Sequence, residues 1–97
     1  MLTFTYTNDQ VSLEIKFYRY ANGQTSMIAY HIDTKETWLD VTLATQTVLQ
    51  ADEVAIKDYG HQEGIVNDLE SAGIITNPHK IIESGFIKIP VARLCIT

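Results

Sequence analysis

At 97 residues the chain has room for one small domain with a single modest core, and its 45% hydrophobic and 20% charged residues are those of a globular protein rather than a disordered one. Seven Lys+Arg against twelve Asp+Glu give a formal charge of −5, a poor balance for wrapping nucleic acid or lying on an anionic membrane. The lone Cys95 cannot close an internal disulfide, which fits a reducing compartment. No basic run precedes an apolar stretch at the start, and no segment approaches the roughly 18 apolar residues of a membrane span, so a soluble, cytoplasmic protein is expected.

Twelve Ile, six Val and eleven Thr favour sheet over helix for most of the chain. Leu2, Phe4 and Tyr6 alternate with threonines as a first strand with one buried face, and Asn8-Asp9 turns the chain. Val11, Leu13, Ile15 and Phe17 then alternate with Ser12, Glu14, Lys16 and Tyr18 in the clearest period-2 run of the sequence. Asn22-Gly23 predicts a type I′ hairpin into a third strand over 25–32, with Ile28, Tyr30 and Ile32 on one face. A turn at residues 33–36 leads to a fourth strand, in which Leu39, Val41 and Leu43 alternate with Trp38, Asp40 and Thr42. These four strands form an antiparallel meander.

Residues 44–53 are polar and read either as loop or as a short helical turn; 54–57 is a short strand. One helix is predicted over 61–72, where Ile65, Val66, Leu69 and Ala72 make a single apolar face. Asp58 and Glu63 favour its positive end, and Gly73 suits the position just past its last turn. A strand over 80–83, a turn at Ser84-Gly85 and a last strand over 86–96 follow; Pro90 in that strand calls for a sheet edge or a bulge. The expected fold is α+β: a mostly antiparallel sheet packed on one main helix, in a single domain spanning 1–97.

The negative charge is local. Residues 52–70 hold Asp52, Glu53, Asp58, Glu63, Asp68 and Glu70 with one base, Lys57, and so carry all of the −5. On a helix over 61–72, Glu63, Asn67 and Glu70 share the outward stripe, with Glu63 and Glu70 roughly 10 Å apart along the axis. That pattern reads as a solvated helix face or as a surface for a basic partner, with Asp58, Tyr59, Glu63, Asn67 and Glu70 as the contact residues. Gly64, placed in the first helical turn, serves either close packing against Trp38 or a strand, or the approach of a partner.

Metal chemistry is the rival reading. Asp58, His61 and Glu63 cluster at the start of the helix and offer mixed oxygen and nitrogen donors, while His31, His79 and Cys95 supply further zinc-type ligands without a recognised spacing. The plainer alternative is that Asp58 caps the helix, His61 faces solvent and Cys95 is a small buried hydrophobe. No phosphate-cradling glycine loop, nucleophile elbow or deaminase pattern occurs, so no enzymatic activity and no cofactor beyond such a zinc ion is expected.

Several segments in order resemble a small family of uncharacterised proteins encoded in phages, integrated elements and plasmids of bacteria. They are Tyr20-Ala21-Asn22-Gly23, the run from Trp38 through Leu39, Asp40, Val41 and Thr42 to Leu43, Ile56-Lys57-Asp58-Tyr59 with Glu63-Gly64, Gly73-Ile74-Ile75, Ser84-Gly85-Phe86, and Pro90-Val91-Ala92-Arg93-Leu94. The chain departs from that family's pattern at Ala92, where a cysteine is expected, and at His61, where a serine- or asparagine-like residue is expected. The resemblance implies an accessory protein of a mobile element, with no catalytic residues to carry over. Small acidic proteins of that origin include inhibitors of type II CRISPR nucleases. The expected function is accordingly inhibition of a host nucleic-acid-processing complex by an acidic surface that blocks a basic channel. The partner is a basic protein surface such as an RNA-guided nuclease, not nucleic acid or membrane, and the protein itself is a monomer or weak homodimer. A self-associating module that pairs through a sheet edge near Pro90 is the remaining alternative.

Overall fold

The computed structural model describes residues 2–95 and has two antiparallel sheets with one short α-helix, the α+β arrangement expected. The first sheet is the predicted meander in the order β1 (Leu2–Tyr6), β2 (Val11–Arg19), β3 (Thr25–His31), β4 (Thr37–Asp40). The second contains β5 (Glu53–Ala55), β6 (Lys80–Ser84) and β7 (Ile87–Arg93), with β7 in the middle. The two are stitched where β4 ends: Thr42 bridges to Ile56, Leu43 N–H donates to the Ala55 carbonyl, and Lys57 N–H to that of Val41. The two sheets are therefore continuous through the end of β4. Ile96, the predicted end of the last strand, lies outside the described residues.

Alternation fixes which faces meet. Phe4, Tyr6, Leu13 and Ile15 are buried, as their period-2 pattern requires. In β3 the buried pair is Met27 and Ala29, not the larger Ile28 and Tyr30. Pairing explains this, since Ala29 lies opposite Ile15 and Met27 opposite Phe17, which puts their side chains on the inner face, whereas Ile28 and Tyr30 lie opposite Lys16 and Glu14 on the outer one. The core gathers these residues with Val41, Val54, Ile56, Ile65, Leu69, Ile74, Ile75 and Ala92. On the opposite face of the second sheet, Ala55, Ile89 and Val91 form a smaller cluster covered by Leu43 and Leu49, and the polar stretch 44–51 proves to be loop.

Two turns differ from expectation. Tyr20 N–H donates to the Gln24 carbonyl and Gly23 N–H to that of Tyr20, enclosing a three-residue loop in which Gly23 has φ +86° and Asn22 has no positive φ. This is a type I turn followed by a left-handed glycine, not a two-residue type I′ turn. Pro90 sits in the central strand rather than at an edge. Its carbonyl accepts from Ile56 N–H, and the Ile56 carbonyl, which proline cannot serve, accepts from Asp58 N–H instead. The missing donor thus marks where β5 peels away. The free edge beside Pro90 belongs to β6, which pairs with β7 alone.

The helix α1 spans Ile65–Ser71, shorter than the predicted 61–72, because Gly64 adopts φ +97° and separates it from a 3₁₀ turn at Gly60–Gln62. Gly64 therefore lies outside the helix, and a Cβ built there would meet nothing within 4 Å, so close packing is not its role. Its role is conformational: L side chains rarely adopt that φ. Gly64→Ala is expected to destabilise by about 1–2 kcal/mol despite the open space, measurable by urea denaturation. At the other end Gly73 has φ +74°, its N–H donates to the Glu70 carbonyl and Ile74 N–H to that of Leu69. This is the paired-bond stop expected of a glycine at that position.

Candidate functional site

The segment 58–70 is held from both sides by groups distant in sequence. Asp58 accepts from the backbone N–H of Gly64 (3.0 Å, Oδ1) and of Val66 (2.9 Å, Oδ2), so it caps α1 from six and eight residues upstream. The capping role weighed for it is thus the one it performs. Asp58→Ala is expected to cost about 1–2 kcal/mol and to raise hydrogen exchange at Gly64 and Val66. The buried Gln62 donates to the carbonyls of Asp40 (2.8 Å) and Lys57 (3.1 Å), tying the 3₁₀ turn to the end of β4.

The β1–β2 turn supplies the second set of anchors. Tyr6 hydroxyl donates to the His61 carbonyl (2.6 Å), and the Asn8 amide donates to the carbonyls of both His61 (2.9 Å) and Glu63 (3.0 Å). Asp68 accepts from Thr7 N–H (3.0 Å) and Thr7 hydroxyl (2.7 Å). Burial and the nearby carboxylates Asp9, Asp68 and Asp58 push the Tyr6 phenol above its usual range, in keeping with its donor role. Ile65 and Leu69 are fully buried beneath, so the outer face of α1 is presented from a rigid base.

The six acids of 52–70 then divide. Asp52 binds the Arg93 guanidinium (2.8 Å). Glu53, only 3% exposed, accepts from Gln50 N–H (2.7 Å) and meets His79 Nε2 (2.6 Å) and Lys80 Nζ (3.4 Å). Asp58 and Asp68 cap and tether as above. Glu63 and Glu70 have no side-chain hydrogen bond or ion pair among the described residues; Glu63 is exposed and Glu70 half-buried. The sequence charge of the segment is therefore narrowed to this pair, with exposed Asn67 between them in sequence and half-buried Tyr59 upstream. Because Glu63 precedes the break at Gly64, the helical-stripe spacing to Glu70 does not apply.

The metal-type donors do not converge. Among the described residues no three His, Cys, Asp or Glu side chains form a group that could hold a metal ion. Asp58 spends both oxygens on backbone amides, His61 is exposed, His79 pairs with Glu53, and His31 Nδ1 accepts from the turn that follows it. Cys95 is exposed rather than buried, since it follows the last bridge at Leu94. Comparison with protein-family models, curated proteins and solved structures returned no match. No helix among the described residues is long and apolar enough to cross a membrane.

What sequence reading missed are the anchors: Tyr6, Thr7, Asn8 and Gln62. Only Asn8 carried a signal, as a turn residue, and nothing in the spacing pointed it at a carbonyl 53 residues away.

Proposed function

We propose that this chain is a non-catalytic binding protein that inhibits a host nucleic-acid-processing complex, specifically an RNA-guided type II CRISPR nuclease. It does so by docking Glu63 and Glu70, with Asn67 and Tyr59 beside them, on the basic channel that otherwise grips the nucleic acid. One observation supports this reading above its rivals. Of the six acids in 52–70, the fold commits four to internal partners and, among the described residues, leaves Glu63 and Glu70 without one, on a segment locked from below by Asn8, Thr7 and Asp58. Carboxylates held on a rigid element lose little freedom on binding, and a channel of Lys and Arg attracts them over several ångströms. Asp58, whose oxygens are occupied, serves as a positioning residue and not as a contact. The test is a DNA-cleavage assay with purified type II nuclease and guide. Wild-type protein is expected to inhibit, and Glu63→Lys/Glu70→Lys to lose at least tenfold in potency while keeping its fold. Full inhibition by the double variant, or none by the wild type, would refute the reading.

A further inference from the structure

The turn between β3 and β4 is built around the ring of His31. Its Nδ1 accepts from the backbone N–H of Asp33 (3.2 Å) and of Thr34 (3.4 Å), while His31 N–H donates to the Glu36 carbonyl (2.9 Å) and Lys35 N–H to the His31 carbonyl (2.9 Å). Two donors converging on one ring nitrogen require that nitrogen to be unprotonated, so the neutral ring carries its proton on Nε2. Lys35 closes the turn at φ +65°, a conformation non-glycine residues rarely take. The indole of Trp38, the one tryptophan in the sequence, stands with its centroid 5.4 Å from that of the imidazole and tilted by 48°. Trp38 Nε1–H in turn donates to Asp9 (2.9 Å) in the β1–β2 turn, whose neighbours Thr7 and Asn8 clamp the segment 61–68.

We propose that His31 is a proton-operated latch on this turn, with Trp38 as its neighbour and reporter. Taking up a solvent proton converts Nδ1 from acceptor to donor, so it faces the Asp33 and Thr34 N–H groups with a third N–H and can bond neither. The ring must then leave the turn, residues 33–36 lose the contacts that hold Lys35 at positive φ, and the imidazole–indole contact breaks. The charged groups around the ring are Asp33, Lys35 and Glu36 in the turn itself, Asp9 through Trp38, and Glu14 of β2, whose carboxylate lies 3.6 Å from the Lys35 ammonium. The residue directly opposite on β2 is the buried Leu13, which offers no counter-charge. The latch stands independently of the acidic surface proposed above.

The full chain tests it without a partner. At about pH 8, long-range nitrogen–proton NMR should report the Nε2–H tautomer of His31; the Nδ1–H tautomer would overturn the latch. As the pH is lowered from about 8 to about 5, Trp38 fluorescence and the Asp33 and Thr34 amide shifts should change together and reversibly, with the far-ultraviolet spectrum constant. His31→Asn, whose Oδ1 accepts hydrogen bonds at either pH, should abolish both changes, and His61→Gln and His79→Gln should preserve them. A transition that survives His31→Asn, one lost in either control, or a fluorescence change with unmoved amides would refute the proposal.

Discussion

Glu53→Ala is expected to lower stability by about 3 kcal/mol, because it removes the acceptor around which one corner of the second sheet is assembled. The carboxylate is 3% exposed and takes Gln50 N–H, His79 Nε2 and Lys80 Nζ. Without it the Gln50 amide loses its acceptor, and the His79 ring and the Lys80 ammonium lose their partner. The same contacts fix a pH signature. The backbone donor from Gln50, then the His79 bond and the Lys80 charge, hold the Glu53 carboxyl at about 2 instead of 4.5. A carboxyl depressed in the folded state stabilises fully above its unfolded value, and that stability is lost as pH falls from about 4.5 towards 2. Urea midpoints of the wild type should therefore drop steeply across that window. Glu53→Gln should start lower at neutral pH and fall less. Equal slopes for the two proteins would show that another group governs the acid limb.

Leu69→Ala should cost about 3–4 kcal/mol, the range for emptying a fully enclosed leucine site. Its larger consequence is for the helix. Seven residues are too few to hold a helix by propensity, so α1 persists because Ile65 and Leu69 are anchored in the core and Ile74 follows them through the glycine stop. The variant should lose helical signal before the sheet melts, and with it the placement of Glu70. Glu63→Lys/Glu70→Lys should leave stability within about 0.5 kcal/mol of wild type, since neither side chain has an internal partner among the described residues. Comparing these two variants by circular dichroism and denaturation separates a folding role for α1 from a surface role.

Much of the sheet was legible because period-2 alternation survives wherever one face is buried and the other is wet: Leu2 to Tyr6 and Val11 to Phe17 announce their phase without help. In β3 the alternation put Ile28, Tyr30 and Ile32 on one face but could not say which face is buried; register against Ile15 and Phe17 puts Ala29 and Met27 inside and Ile28 and Tyr30 outside. The helix stop at Gly73 was readable, because only local bonds are involved; the start was not, because Gly64 at φ +97° looks in sequence like a weak helix residue. Pro90 misled because the cost of its missing N–H is met by Asp58 N–H turning to the Ile56 carbonyl, a compensation no pattern reveals.

The charge pattern shows the same limit. All six acids of 52–70 were visible, and their clustering raised the idea of a surface. Which acids were free depended on partners far along the chain: Thr7 for Asp68, 61 residues away, and Arg93 for Asp52, 41 residues away. Tertiary pairing engages four of the six; of the three acids expected as contacts it takes Asp58 and leaves Glu63 and Glu70.

The measurement that bears most directly on that surface is the affinity of the wild-type protein and of Glu63→Lys/Glu70→Lys for a guide-loaded type II nuclease at two salt concentrations. Steering by exposed carboxylates predicts that wild-type association weakens severalfold between about 0.05 and 0.5 M salt, and that the double variant binds at least tenfold more weakly at the lower one. Equal affinity of the two proteins at both salts would contradict the account.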